Sequence, residues 1–140
     1  MIIVDGLPPN YAEIVERIPS AANKGVVFTY GQTLYAPGRK HIGKPLMIHE
    51  ETHAGRQGPT EGTARSWWRD YLNSQEFRFH EELLAHRAEL KEYQRTTKDR
   101  NKLAWHFHDL AVRLSSPLYG NIITYTEARR ALTDKRYILN

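Results

Sequence analysis

The sequence predicts an α+β fold in which a small N-terminal β-sheet or hairpin packs on a mainly helical core. Three observations carry this expectation. β-Branched and aromatic residues concentrate in residues 25–36, GVVFTYGQTLYA, the composition of strands. From Pro45 onward apolar residues recur at three- and four-residue spacing, the period of helices. Capping and stop residues then punctuate the C-terminal half. Strands first and helices after is the α+β order. The chain has 140 residues, the size of one domain, 1–140. At that size about two-thirds of the unfolded surface can be buried.

Each element has its own signal. Ile2, Ile3 and Val4 predict a short strand, ended by Asp5-Gly6 and Pro8-Pro9. Asn10 is a candidate cap for a helix over 11–18, stopped by Pro19. Residues 25–36 predict one kinked strand or a tight hairpin, interrupted at Gly31-Gln32 and closed by Pro37-Gly38. Pro45 suits a first helical turn. The helix it opens carries Leu46, Met47, Ile48, His49, Glu50, His53 and Ala54, and Gly55 and Gly58-Pro59 are expected to end it. Residues 56–63 then read as a loop. Thr60 or Thr63 caps a helix bearing Trp67, Trp68, Tyr71 and Leu72, and Asn73-Ser74 breaks it. Ser74 caps a long helix to about Arg95, and another helix follows over 99–114, stopped by Ser115-Ser116-Pro117. Thr124 or Thr126 caps a last short helix over 127–133.

Composition narrows the function classes. There is no Cys, so disulfides and thiolate metal sites are excluded. A metal would be held by His, Asp or Glu, the ligands of catalytic rather than structural zinc. Net charge is +4, with both signs interspersed, which reads as a solvated basic surface. No RNA-binding motif is present, so a nucleic-acid partner is not expected. No run approaches the roughly 20 apolar residues of a membrane span, and the N-terminus lacks a secretory pattern. A cytoplasmic protein with no membrane contact is the expectation.

The chemically specific feature is His49-Glu50-Glu51-Thr52-His53, an H-E-x-x-H pattern. On a helix, residues four apart share one face, so both imidazoles can reach one zinc ion. Glu50 falls at the edge of that face, where its carboxylate can act as general base toward a metal-activated water. Pro45 to Ile48 predict that one side of this helix is buried. The extended three-histidine pattern of metzincins is absent, because Gln57 and Gly58 follow. The third ligand is therefore sought in FRFHEELLAH, residues 77–86. At about 100° per residue, Phe79, Leu83, His86, Leu90 and Tyr93 form one apolar face. Glu82 lies on its flank and Glu81 on the opposite side. A ligand must point inward, which chooses Glu82 and leaves Glu81 as a solvated surface charge; His80 points aside. His86, one turn after Glu82, is either a partner that orients a ligand or a satisfied core histidine.

These residues carry a resemblance. HEETH followed by E-x-x-A-H on a later helix resembles the gluzincin pattern, in which a downstream glutamate completes H-E-x-x-H. In one peptidase branch of that group the glutamate opens an E-x-x-A-D motif; Glu82 and Ala85 match it, and His86 stands where Asp would be. With Trp67, Trp68, Tyr71 and Leu72 ahead of the glutamate helix, residues 25–125 are similar to small metallopeptidases encoded in bacteriophage and bacterial genomes. The resemblance implies a zincin-like core and zinc-dependent hydrolysis of a peptide or protein substrate.

Such chemistry needs a donor to the oxyanion, for which Tyr119 and Arg113 are candidates; loop position favours Tyr119. His106 and His108 diverge by about 200° on a helix and are not expected to share a metal. The run 25–36 is a candidate edge for pairing with an extended substrate. Trp67, Trp68, Tyr71, Trp105 and Phe107 are expected in the core. A rival reading is a metal-binding assembly or interaction factor without proteolytic activity, to which Glu50 would be of no use. So short a chain has little with which to deepen a cleft, which favours an oligomer or a protein partner.

Overall fold

Three short strands pair into one mixed sheet, β1 (Ile2–Val4), β2 (Phe28–Tyr30) and β3 (Thr33–Tyr35), in the order β1-β3-β2. The computed structural model describes residues 1–39 and 41–134. Gly31-Gln32 makes a two-residue turn, so residues 25–36 form a hairpin with Thr29 opposite Leu34. Gly31 has φ 62°, a left-handed value that glycine adopts without a Cβ penalty. β1 joins in parallel, with Ile3 opposite Leu34. Between the sheet's first two strands lie α1 (Tyr11–Arg17) and a short 3-10 turn, Pro19–Ala22.

Five helices follow: α2 (Lys44–Gln57), α3 (Glu61–Asn73), α4 (Gln75–Thr96), α5 (Arg100–Leu114) and α6 (Tyr125–Thr133). The architecture is therefore α+β. Side-chain oxygens satisfy the orphan N–H groups at four of the helix starts. Thr60 and Thr63 form a reciprocal capping box on α3, as Thr124 and Glu127 do on α6. Ser74 accepts from the Phe77 N–H, and Asp99 from those of Asn101 and Lys102. Among the described residues no helix is long and apolar enough to cross a membrane.

Two apolar clusters hold the fold. One joins α4, α5 and α6 through Phe79, Leu83, Leu90, Leu110, Leu114 and Leu132. The other joins α1, β2 and α3 through Ile14, Phe28, Trp67, Trp68 and Leu72. α4 lies between them and packs on α2, α3, α5 and α6. The seam between the clusters is polar and buried, lined by His49, Glu50, His53, Glu82, His86 and Glu89.

Several local expectations are corrected. Asn10 occupies the cap position of α1, but its side chain makes no cap bond there. α2 runs through Gly55 to Gln57, because Arg56 and Gln57 are both anchored by tertiary contacts, to Glu81 and to β2. The expected loop over 56–63 is thus only three residues long, Gly58, Pro59 and Thr60. The buried side of α2 is the motif itself, while Leu46, Met47 and Ile48 are only half-buried. Trp105 is 68% exposed instead of buried. It sits about 140° around α5 from Leu110, on the side away from α4 and α6. Phe107 is half-buried beneath the Arg129 guanidinium, 4.5 Å from the ring centroid.

Gly58 ends α2 at φ 85°, and a Cβ there would lie 2.8 Å from the Thr63 hydroxyl oxygen. Gly58→Ala is expected to cost about 1–2 kcal/mol through strain and the disturbed α3 cap. Urea unfolding should show a lower midpoint with an unchanged slope.

Candidate metal centre

α2 places His49 and His53 one turn apart, and α4 brings Glu82 against both. His49 Nε2 lies 3.2 Å from Glu82 Oε2, and His53 Nε2 3.2 Å from Glu82 Oε1. The two Nε2 atoms are themselves 3.2 Å apart. All three residues are buried, and their ligand atoms converge within 4.8 Å of one another. Zinc bonds of about 2.0–2.2 Å in a tetrahedron set neighbouring ligand atoms about 3.3–3.5 Å apart. The separations of 3.2 Å between the two imidazole nitrogens, and from each to one of the two Glu82 oxygens, are close to that spacing. Two imidazole lone pairs facing each other repel unless a proton or a cation lies between them. The donor set, two imidazoles and a carboxylate without sulfur, also fits zinc of the catalytic kind.

Further contacts hold these three side chains. His49 Nδ1 lies 2.9 Å from Glu89 Oε1, which sets the tautomer that leaves Nε2 free to ligate. The other Glu89 oxygen is 3.1 Å from His106 Nε2, off the line of a hydrogen bond. The Tyr71 hydroxyl donates to Glu82 Oε1 at 2.7 Å. Trp67 packs against the His53 ring with centroids 5.4 Å apart. Glu50 is buried beside the triangle, and its Oε2 accepts from the Thr29 hydroxyl at 2.7 Å. Thr29 is fixed in turn, because its carbonyl accepts from Gln57 Nε2 at 2.7 Å and from Trp68 Nε1 at 3.0 Å.

The electrostatics follow from burial and pairing. Burial would depress the His49 pKa, but its hydrogen bonds to Glu82 and Glu89 outweigh that and raise it to about 10. Burial would likewise raise Glu82, yet the His53 and His49 contacts hold it well below the usual carboxylate range. Glu89 is lowered against its own burial by His106 and His49. His86 drops to about 4, through burial and then the charge of His49. The Tyr71 and Tyr119 hydroxyls are pushed well above 10.0 by burial and by Glu82.

The structure brings His49, Glu50, His53, Glu82 and Tyr119 to one cavity of about 590 Å³. Tyr119 sits in a short 3-10 turn, Pro117–Tyr119, and is 6% exposed. Arg113, its alternative as oxyanion donor, is an exposed residue at the edge of the same cavity. Glu81 does not reach the triangle, but the expectation of a solvated charge fails: it is 1% exposed. Arg56 and the Trp67 indole N–H bind its carboxylate. The single-face reading broke down because α4 is packed on several sides. His86 is fully buried against two of the three residues, with Nδ1 2.6 Å from the Glu82 carbonyl oxygen and 3.5 Å from Glu82 Oε2 and its ring 4.8 Å from that of His49; Glu89 is the group bound to His49 Nδ1. His108 pairs with the Tyr125 hydroxyl at 2.7 Å, apart from His106 as expected. β2 is an edge strand, but Gln57 binds both the Thr29 carbonyl and the Gly31 N–H. That stretch of edge is therefore closed to a pairing peptide.

Three supporting residues went unrecognised in the sequence: Glu89, Tyr71 and Thr29. Glu89 had a signal, since it lies two turns after Glu82 on the same flank of α4. Tyr71 and Thr29 reach the site only through tertiary packing. Compared with protein-family profiles, with curated proteins and with solved structures, the chain matches none.

Elemental analysis should find zinc in the wild type and in Glu81→Gln, and none in His49→Ala or Glu82→Gln; zinc retained in Glu82→Gln would overturn the ligand assignment. Glu89→Gln should weaken zinc affinity by roughly 10–100-fold. In chelator-stripped protein, His49 is raised above its unfolded 6.5, so its stabilisation is complete below that pH and fades as pH climbs toward about 10. Glu82 and Glu89 are lowered, so theirs is present above the unfolded pKa of about 4.3 and fades as pH falls. His86 is lowered to about 4, so its contribution is present above its unfolded 6.5 and fades as pH falls toward 4; urea midpoints should therefore peak near pH 6.5, and a flat profile up to pH 10 contradicts the His49 pairing.

Proposed function

We propose that the protein is a zinc-dependent peptidase of gluzincin type, hydrolysing peptide bonds with Glu50 as general base. One observation carries this reading: two buried imidazole nitrogens and a buried carboxylate converge within 4.8 Å of one another, and a fourth buried group, the Glu50 carboxylate, lines the same cavity. His49, His53 and Glu82 would hold the ion, in a zincin-like core. Zinc there supplies Lewis acidity and brings the ionisation of water to near-neutral pH.

The chain's own groups divide the remaining work. Thr29 occupies one oxygen of Glu50, which fixes the carboxylate and leaves the second oxygen to take a proton from water. The same carboxylate then delivers that proton to the leaving amine. Tyr119, its hydroxyl kept protonated by burial, donates to the oxyanion as it develops on the substrate carbonyl. The apolar walls of the cavity exclude water and strengthen both interactions.

Glu50→Gln should keep its zinc and lower hydrolysis of an unfolded test protein by about 10²–10⁴-fold; undiminished hydrolysis refutes the base. Thr29→Val should keep zinc and KM but lose roughly tenfold in kcat, and Thr29→Ser should restore it. Wild-type protein that retains zinc yet cleaves no unfolded substrate would favour the assembly-factor reading instead.

A further inference from the structure

The cavity has a charge pattern that its metal ligands do not explain. Its walls are apolar, with Ile14, Ile18, Leu46 and Leu118 among them. Three cationic side chains also line it, Lys24, Arg39 and Arg113. Three carboxylates do so too: Glu82 is taken up by the histidines and Tyr71 and Glu89 by His49, while Glu50 is held by the Thr29 hydroxyl at one oxygen. Among the described residues, the second oxygen of Glu50 is thus the one carboxylate oxygen of the cavity left without a protein partner, and it lies beside the metal ligands.

The cations, by contrast, make no ion pair among the described residues. Arg39 gives one Nη1 N–H to the Gly25 carbonyl at 3.2 Å, which leaves the rest of its five donors. Lys24 and Arg113 are exposed, and among the described residues neither makes an ion pair. The Arg113 charge lies close enough to the Tyr119 hydroxyl to act on it against Glu82, so it bears on the catalytic end of the cavity. Cations set against low-dielectric walls focus a positive potential into the space between them.

We infer that the cavity selects peptides carrying a carboxylate close to the scissile bond, and rejects basic ones. Apolar neighbours of that carboxylate would fill the space between the cations. The carboxylate is either an acidic side chain or the chain end, since both offer the same two acceptor oxygens to a guanidinium. The cleavage part of this rests on the peptidase reading; the binding part does not.

Zinc-loaded Glu50→Gln, which should hold peptides without cutting them, supplies the test. Fluorescence anisotropy is measured with four matched labelled peptides of one apolar sequence. They are acidic with an amidated end, neutral with a free carboxylate end, neutral amidated, and basic amidated. At least one carboxylate peptide should bind ten-fold or more tighter than the neutral amide, and comparison of the first two names the source. The basic peptide should bind most weakly. Added to that protein, Arg113→Gln, and separately the Lys24→Gln/Arg39→Gln pair, should each reduce the preference three- to ten-fold. Raising salt to 1 M, where the screening length is about 3 Å, should nearly abolish it. Equal binding of all four peptides, tighter binding of the basic one, or equal displacement by a single-stranded oligonucleotide overturns the inference. Charge-selective binding without cleavage by the wild type would sink the peptidase reading alone. Cleavage by the wild type without charge preference would sink this inference alone.

Discussion

The fold is organised around one buried carboxylate. Glu82 sits on the central helix α4, out of solvent, between two histidines and under a tyrosine hydroxyl. A carboxylate in that position is costly unless it is paired and hydrogen-bonded. Three of the helices that pack on α4 supply part of that compensation. α2 gives His49 and His53, and α3 gives Tyr71. α5 adds His106 beside Glu89, whose carboxylate in turn holds His49. The two apolar clusters meet along this polar seam instead of merging, so the site is part of what determines how the helices pack.

Burying polar groups there carries a risk that an all-apolar interior would avoid. Removing one partner leaves a charge uncompensated, and such losses exceed those at the surface. The same density of pairing gives positional precision. His49 is bound at both ring nitrogens, Glu82 at both oxygens, and Glu50 at one. Groups fixed from two sides cannot swing away, and a metal needs ligand directions held in that way. Glu81 shows the same economy in a structural role, since its buried carboxylate ties Arg56 of α2 to Trp67 of α3.

What the sequence made legible was local. The α+β order, the hairpin at Gly31-Gln32, the caps at Thr60, Ser74 and Thr124, and the inward tilt of Glu82 all follow from periods and propensities over a few residues. What it hid was tertiary. Glu81 looked solvent-facing because the reading allowed α4 a single buried face. Trp105 looked like a core residue because aromatic character says nothing about which side of α5 meets its neighbours. Gly55 looked like a stop because the tertiary anchors of Arg56 and Gln57 lie elsewhere in the chain. Glu89 was the accessible omission, for its helical position placed it beside Glu82. Thr29 had no signal, since only the docking of β2 against α2 brings it to Glu50.

That docking gives the small sheet a purpose beyond covering apolar surface. Gln57, at the end of α2, binds the Thr29 carbonyl through Nε2 and the Gly31 N–H through Oε1. One side-chain amide thereby takes up an acceptor and a donor of the edge strand, as a neighbouring strand would. The hairpin is locked to α2 at a fixed height, and the Thr29 hydroxyl is presented to Glu50, two turns before Gln57 on that helix. Edge strands are liable to pair with whatever extended chain is available, and this one is capped where such pairing would pull Thr29 from Glu50. Ahead of Thr29 the same segment continues as cavity wall through Val26, Val27 and Phe28, so the closed edge and that wall are one continuous stretch of chain held by α2.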